Sequence, residues 1–385
     1  MGSQPASRDP TRTLCARLGI AHPIIQAPMA GSDTPALAAA VSNAGGLGSL
    51  GVAYMTPDEI ARSIAEVRRL TDRPFNVNLF AGGYAAATLA AALASDPRSA
   101  ASPAASPEPP AILAILRRHH AALGLPAPEL PATAADPFPA QLEAVVAVRV
   151  PVFSFTFGIP PAAALARLRE QGTTILGTAT TVEEARRLAA AGVDVVVAQG
   201  SEAGAHRGTF AAPFERALVG TMALVPQVVD AISGVPVVAS GGIMDGRGIV
   251  AARALGASGV QMGTAFLACD EAATPAGYKT LLLSSPEDAT TVTRAFSGRP
   301  ARGLVNAFLQ EVESAGEEAI LPFPYQNLAT RPMRSAAARA GDTSRLSLWA
   351  GQGLRLARRL PAAELMRRLV EETEAVLRRL AAADA

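Results

Sequence analysis

Lysine is almost missing from this chain. Lys279 is its one lysine, beside arginine at every other basic position, so Schiff-base chemistry has a single candidate, and that candidate follows TPAGY instead of closing an apolar strand. Cysteine occurs twice, as Cys15 and Cys269. Neither lies in a C-x-x-C pair or near a histidine at ligand spacing, which argues against a disulfide framework or a structural zinc, and no metal is expected. Net charge of one sign is missing too. The formal balance is +1, and no basic run with interleaved aromatics restores a local pull toward nucleic acid or an anionic membrane. No stretch of about 18 residues is apolar enough to cross a bilayer, and the opening MGSQPASRDP lacks the apolar core of a secretory signal. The expectation is a soluble, cytoplasmic protein whose partner is a small molecule.

Apolar residues and glycine are plentiful. Hydrophobic residues make up 49% of the 385, with mean hydropathy +0.24, enough for one large domain with an appendage. Short apolar runs alternate with helical patterns: HPIIQAPMAG, GLGSLGV, FNVNLFA, VPVFSFTFG, TTILGTAT, VDVVVAQG, VPVVASGG and GVQMGTAFLA read as eight strands. The helices between them carry start signals, with Thr56 and Glu59, and again Thr181 and Glu184, spaced as capping boxes. Eight apolar strands alternating with helices predict an α/β fold of the (β/α)8 TIM-barrel type. Two regions break the rhythm. Ten prolines fall between Pro97 and Ala140, a composition suited to an insertion or lid after the third strand. Beyond Ala268 the strand pattern fades, and LPAAELMRRLVEETEAVLRRL places Leu365, Leu369, Val376 and Leu380 on one helical face. The expected organisation is a flexible N-terminus over 1–12, a barrel over 13–270 with an insertion at about 82–148, and a helical segment over 271–385 packed on the barrel.

In such a barrel the chemistry gathers at the C-terminal ends of the strands. Gly241 and Gly242 end the seventh strand and Gly263 the eighth. Glycines there let backbone N–H groups approach an anion, and the next helix N-terminus adds its partial positive charge. The pair predicts a phosphate site, although chain turning alone would also use glycine. GLGSLG at Gly46–Gly51 matches G-x-G-x-x-G but follows a helix and opens none, so it is not read as a dinucleotide fingerprint. Among four histidines, His22 stands at the stability face and His119 and His120 on a helix expected to be solvated. His206 alone follows a strand end, in VVVAQGSEAGAHRGTF (Val195–Phe210). Its position and near-neutral titration make it the candidate general base, with Glu202 either orienting it or pairing with Arg207.

PIIQAPMAG, NVNLF, AQGSEAGAHRGTF, ASGGI, QMGTAFL, GRPARGLVN and LWAGQG, in that order, resemble the nitronate monooxygenase family, formerly 2-nitropropane dioxygenases, especially its class I branch. The resemblance runs from about His22 to the last helix and is weakest in the proline-rich segment. It implies non-covalent FMN with its phosphate at the glycine ends. The family's flavin contacts fall on Asn78, Gln199, Gly204, Gly242 and the run Gln261, Met262, Gly263 and Thr264, with Pro28 and Met29 lining the isoalloxazine and His206 as the loop histidine. Ala205 departs from the glycine usual there, which puts the local geometry in doubt. The implied reaction is oxidation of an alkyl nitronate, such as propionate 3-nitronate, by O2 to a carbonyl compound and nitrite through a flavin semiquinone, a detoxifying activity. For a neutral nitroalkane His206 would first remove the α-proton; for a nitronate it would orient or steady the anion. Tyr278 and Tyr325 are candidate substrate contacts, each equally readable as core with a wet hydroxyl. A homodimer is compatible with this reading. An NAD(P)H-dependent flavin reductase on the same barrel, acting on an enoyl thioester or quinone, and a flavin-free phosphate-binding lyase or isomerase remain as alternatives.

Overall fold

In the computed structural model, residues 9–84, 88–95 and 111–383 are described. The first eight positions of the expected flexible N-terminus and residues 96–110 of the proline-rich stretch lie outside them.

The expected barrel is present. Strands β1 (Ile24–Gln26), β2 (Gly48–Gly51), β3 (Phe75–Phe80), β4 (Val152–Thr156), β5 (Thr174–Ala179) and β6 (Val195–Gln199) are followed by the two-residue β7 (Ala205–His206), then β8 (Val237–Ser240) and β9 (Gly259–Met262). Eight of them form one parallel sheet in the order β1-β9-β8-β6-β5-β4-β3-β2, and a parallel bridge from Ile25 to Leu47 closes the ring. Helices alternate with these strands as the apolar periodicity predicts. The helix Pro57–Leu70 starts as expected: Thr56 Oγ1 accepts from Glu59 N–H, Glu59 accepts from Thr56 N–H, and Ile60, Ile64 and Val67 are buried. GLGSLG lies partly inside β2. A Cβ on Gly48 would sit 1.9 Å from the Ala38 carbonyl oxygen, so the glycine serves close helix–strand approach and not a nucleotide.

The barrel interior changes character along its axis. Its lower end is apolar: Ile25, Leu47, Val152, Leu176, Val195, Val197 and Val238 pack with Leu14 and Leu18. Those leucines belong to the helix Pro10–Leu18, capped by Asp9 and ended by Gly19 at φ 67°. This helix covers residues 10–12, which composition alone assigns to a flexible end. Burying two leucines contributes roughly 3–6 kcal/mol before ordering costs. Higher up the interior turns polar. Ser49 N–H donates to Gln26 Oε1 at 2.8 Å, while Asn76 and Asn78 each donate to Ser154 Oγ at 2.9 Å.

The C-terminal region corrects the expectation that its strands are lost. Besides the helices Ala276–Ser284, Ala307–Ser314, Tyr325–Ala340 and Ala362–Ala383 it contains β10 (Thr290–Thr293) and β11 (Ala301–Leu304). TTVT and ARGL are too short and too polar to show an alternating pattern. With β7 they form an antiparallel sheet in the order β10-β11-β7. The last helix buries Leu365 and Leu369 as expected but leaves Leu380 exposed, because its final turns run past the barrel surface they would cover. The insertion supplies the helix Ala111–Ala122, whose Ile112, Ile115 and Leu116 share a core with Phe296, Phe308 and Met333. His119 and His120, expected in solvent, are buried there. His119 Nε2 lies 2.7 Å from Glu311 Oε2, 192 residues along the chain, and His120 Nδ1 lies 2.7 Å from the Pro126 carbonyl oxygen in the segment that follows the helix; helical periodicity discloses neither.

Candidate active site

An open-mouthed cavity of about 1340 Å³ lies at the C-terminal end of the barrel. Pro28, Met29, Asn78, Gln199, Gly204, His206, Gly241, Gly242, Gln261, Met262, Gly263, Thr264 and Tyr278 all line it. One expected site residue is elsewhere. Tyr325 is fully buried in the cluster shared with the insertion helix and is not among the lining residues, because the start of its helix faces that second core.

Two ends of the cavity differ chemically. At β8 and β9, the backbone N–H groups of Gly241, Gly242, Gly263 and Thr264 donate to no group among the described residues. Thr264 Oγ1 accepts from Gly351 N–H at 2.9 Å, which leaves its hydroxyl hydrogen free. Gly241 and Gly242 take φ 118° and 72°, and a Cβ on Gly241 would lie 2.9 Å from Thr221 Oγ1, so both the backbone angle and the space there call for glycine. Converging unclaimed donors suit a phosphate. The Gln261 amide, also without a partner among the described residues, and the flat apolar faces of Pro28 and Met29 suit a heterocycle with polar edges.

At the other end stands His206, held by elements far apart in sequence. Antiparallel pairing sets it opposite Ala301 and sets Ala205 opposite Arg302. Gln199 ties the loop from beneath, donating from Nε2 to the His206 carbonyl at 3.0 Å and accepting Gly208 N–H at 2.8 Å. Both polar ends of Gln199 are thus spent on this loop. Ala205 takes φ 61°, so the doubt raised by its methyl group is settled in favour of a strained left-handed alanine. Around the imidazole stand Trp349, Phe157 and Phe80, with ring centroids 5.5, 5.7 and 6.2 Å away.

Glu202 does not orient His206. Its carboxylate accepts Thr221 N–H at 2.9 Å and the Thr221 hydroxyl at 2.8 Å, at the N-terminus of the helix Thr221–Ala231. Arg207 forms no ion pair with it either. The Arg207 guanidinium, 1% exposed, donates to the carbonyls of Gly200, Gln199 and Ala217. Glu184 is likewise redirected. Thr181 caps its helix as expected, accepting Glu184 N–H at 3.2 Å, but the Glu184 carboxylate accepts from Thr180 N–H at 2.7 Å and from Phe210 N–H at 2.6 Å. It fastens the end of the histidine loop.

The partner of His206 is Ser297 Oγ, 2.9 Å from Nε2. Ser297 donates its hydrogen to the Arg299 carbonyl at 3.0 Å, so the network assigns the imidazole proton to Nε2 and leaves Nδ1 as the acceptor nitrogen. Burial, then the charges of Arg299 and Arg334, push the imidazole down to about 3. Arg299 stacks on Phe157 at 3.8 Å and donates to the Thr209 carbonyl at 2.8 Å. Arg334 donates to Thr330 Oγ1 and to Asn327. Neither forms an ion pair among the described residues, and burial lowers both guanidiniums to about 10. The site therefore combines half-buried positive charge with a neutral imidazole.

The nitronate monooxygenase family profile matches residues 12–372. The chain belongs to the nitronate monooxygenase family. It is similar to the probable nitronate monooxygenase of Staphylococcus haemolyticus, 42% identical across 94% of this chain and 96% of the relative. Among solved structures it is similar to the nitroalkane oxidase of Streptomyces ansochromogenes, with TM-score 0.81 and 43% identity across 94% of this chain and 98% of that one. FabK from Thermotoga maritima also superposes, with TM-score 0.72 and 30% identity across 96% of this chain and 98% of that one. As a nitronate monooxygenase family member the chain is an oxidoreductase of a flavin-dependent group. No helix among the described residues is long and apolar enough to cross a membrane.

Trp349, Phe157, Ser297, Arg299 and Arg334 escaped the residue-level reading. GRPARGLVN and LWAGQG contain Arg299 and Trp349, so order along the chain was the available signal. Nothing in the spacing ties Ser297 to His206.

Proposed function

We propose that this chain binds FMN non-covalently in the barrel mouth and oxidises alkyl nitronates with O2 to a carbonyl compound and nitrite. One observation carries the choice of substrate: His206 stands beside two half-buried guanidiniums that act on it and form no ion pair among the described residues. A partly desolvated cation without an ion-pair partner carries a cost, and an anionic substrate offsets that cost on binding.

The residues fit the cofactor. Gly242, Gly263 and Thr264 would hold the phosphate, Gln261 and Asn78 the polar edges of the ring, and Pro28 and Met29 its face. The flavin, when bound, supplies the electron chemistry. The protein binds and orients the anion, and Trp349, Phe157 and Phe80 restrict water around it. With a neutral nitroalkane, His206 Nδ1 accepts the α-proton. An imidazole held down to about 3 is a weak base for that task, so a preformed nitronate is the better substrate, with His206 acting through its neutral polar edge.

Oxygen uptake and nitrite release with propionate 3-nitronate, without NADH, test this reading. Under limiting nitronate, nitrite equal to the nitronate supplied is expected with half as much O2 consumed, because each nitronate takes up one oxygen atom on becoming a carbonyl compound and nitrite. No uptake from the FMN-loaded protein would overturn it. The competing reductase reading predicts NADH oxidation coupled to an enoyl thioester or quinone and none of this uptake.

A further inference from the structure

A second cavity of about 1630 Å³, counting its open mouth, leads outward from the first. The two meet at Tyr54, His206, Tyr278 and Trp349, which line both and form a neck between them. Two tyrosine hydroxyls stand there, and they differ. Tyr278 donates to the Trp349 carbonyl and has no hydrogen left to offer. The Tyr54 hydroxyl has no hydrogen-bond partner among the described residues, while its ring is fixed edge-on against Phe80 at 5.5 Å and 88°. Phe80 in turn contacts His206. Arg62, Arg331 and Arg334 line the outer cavity against a single acid, Glu59, whose Oε2 accepts Thr56 N–H at 2.7 Å and the Thr56 hydroxyl at 3.0 Å. Tyr54 and Arg334 both line this outer cavity, and Arg334 is the charge that acts most strongly on the Tyr54 hydroxyl.

We propose that Tyr54 and Arg334 form the anion-recognition pair of this neck: the Tyr54 hydroxyl donates a hydrogen bond to an oxygen of the planar anionic substrate while Arg334 supplies the neighbouring positive charge. The assignment rests on the nitronate reading for its natural ligand, but its chemistry is that of any small planar oxyanion. A neutral phenol beside a guanidinium is a donor without an acceptor, and a nitronate or carboxylate oxygen supplies one. Burial keeps the phenol protonated, above its ordinary range, so the donor is present throughout the neutral region. No proton changes hands; Tyr54 is a substrate-contact residue.

The test uses FMN-loaded wild type, Tyr54→Phe and Arg334→Gln. Propionate, whose carboxylate matches a nitronate in charge and planarity, is titrated while the emission of Trp349 is followed; this is the only tryptophan in the chain and it lines both cavities. Tyr54→Phe is expected to weaken propionate binding and to raise KM for ethylnitronate, each by about tenfold or more, with kcat within roughly threefold, as for loss of a hydrogen bond to a charged partner. Arg334→Gln is expected to weaken propionate binding and to flatten its salt dependence. Propionate affinity and KM both within about twofold of wild type in Tyr54→Phe would overturn the assignment. Propionate binding that depends on Tyr54 in a protein that turns over no nitronate would keep the pair and remove the function proposed above, so the two failures are distinct.

Discussion

His206 Nε2 is bonded at 2.9 Å to Ser297 Oγ, an atom 91 residues further along the chain. The bond joins the loop after β6 to the segment before β11, and through it the C-terminal region sets the tautomer of a group at the barrel mouth. Ser297→Ala removes this partner and lets the ring turn. Turnover of neutral nitroalkanes is expected to fall by about 10-fold or more, as for loss of a residue that orients a reactive group, with FMN content unchanged by absorbance. Unaltered rates would separate Ser297 from the function of His206.

His206→Asn separates the two roles open to the imidazole. With the ring unprotonated down to about 3, proton abstraction from a neutral nitroalkane depends on Nδ1 and is expected to be largely lost. Preformed nitronate needs no abstraction, so its kcat/KM is expected to fall by less. Steady-state rates on 2-nitropropane and its nitronate make the comparison. In wild type, kcat/KM for the nitronate should show no ionisation near 6.5 from this histidine, since the free enzyme already holds it neutral there.

Asp33 gives a stability prediction with a defined sign. Its Oδ2 accepts Met29 N–H at 2.6 Å and Gly51 N–H at 2.7 Å, while Oδ1 is buried without a partner. Burial raises the carboxyl from 3.8 to about 7, outweighing the two bonds that favour its charge. Between those values the folded protein holds a proton that the unfolded chain has released, so this group's contribution to stability declines as pH rises from about 4 to about 7. Asp33→Asn removes that titration. Thermal unfolding is expected to show the variant gaining on wild type as pH rises across the interval, by about 4 kcal/mol in full. A difference independent of pH would contradict it.

Ala205 at φ 61° holds a conformation that costs an L-residue about 1–2 kcal/mol. Ala205→Gly relieves it while adding freedom to the unfolded chain, so a net gain of about 0.5–1 kcal/mol is expected. Chemical denaturation measures it. A loss of stability would mean that the methyl group contributes more by packing than it costs in strain.

The barrel was legible because its signals are local. Capped helices such as Pro57–Leu70 and apolar runs such as Val195–Gln199 carry their own periodicity, and the strand ends then locate the cavity without further information. Gly241, Gly242, Gly263 and His206 fell within reach of that rule. Contacts that cross the chain were not legible. Pairing of β7 with β11 depends on two residues and a strand containing Arg302 and Gly303, which no alternation announces. Glu184 carries a capping-box spacing yet turns its carboxylate to the Phe210 and Ala211 N–H groups, because tertiary donors competed for it. Tyr54, in the loop after β2, carries no local signal in the sequence; Phe80 and the two cavities give it its place. Tyr325 stood out through its motif and proved to be core.

The most direct measurement of the central claim, that the barrel mouth holds FMN beside a site for nitronate anions, is anaerobic mixing of the yellow holoprotein with ethylnitronate while the flavin band is recorded. The account predicts that the nitronate changes the flavin spectrum within the turnover time and that NADH at the same concentration does not. Bleaching by NADH together with a spectrum indifferent to the nitronate would contradict it.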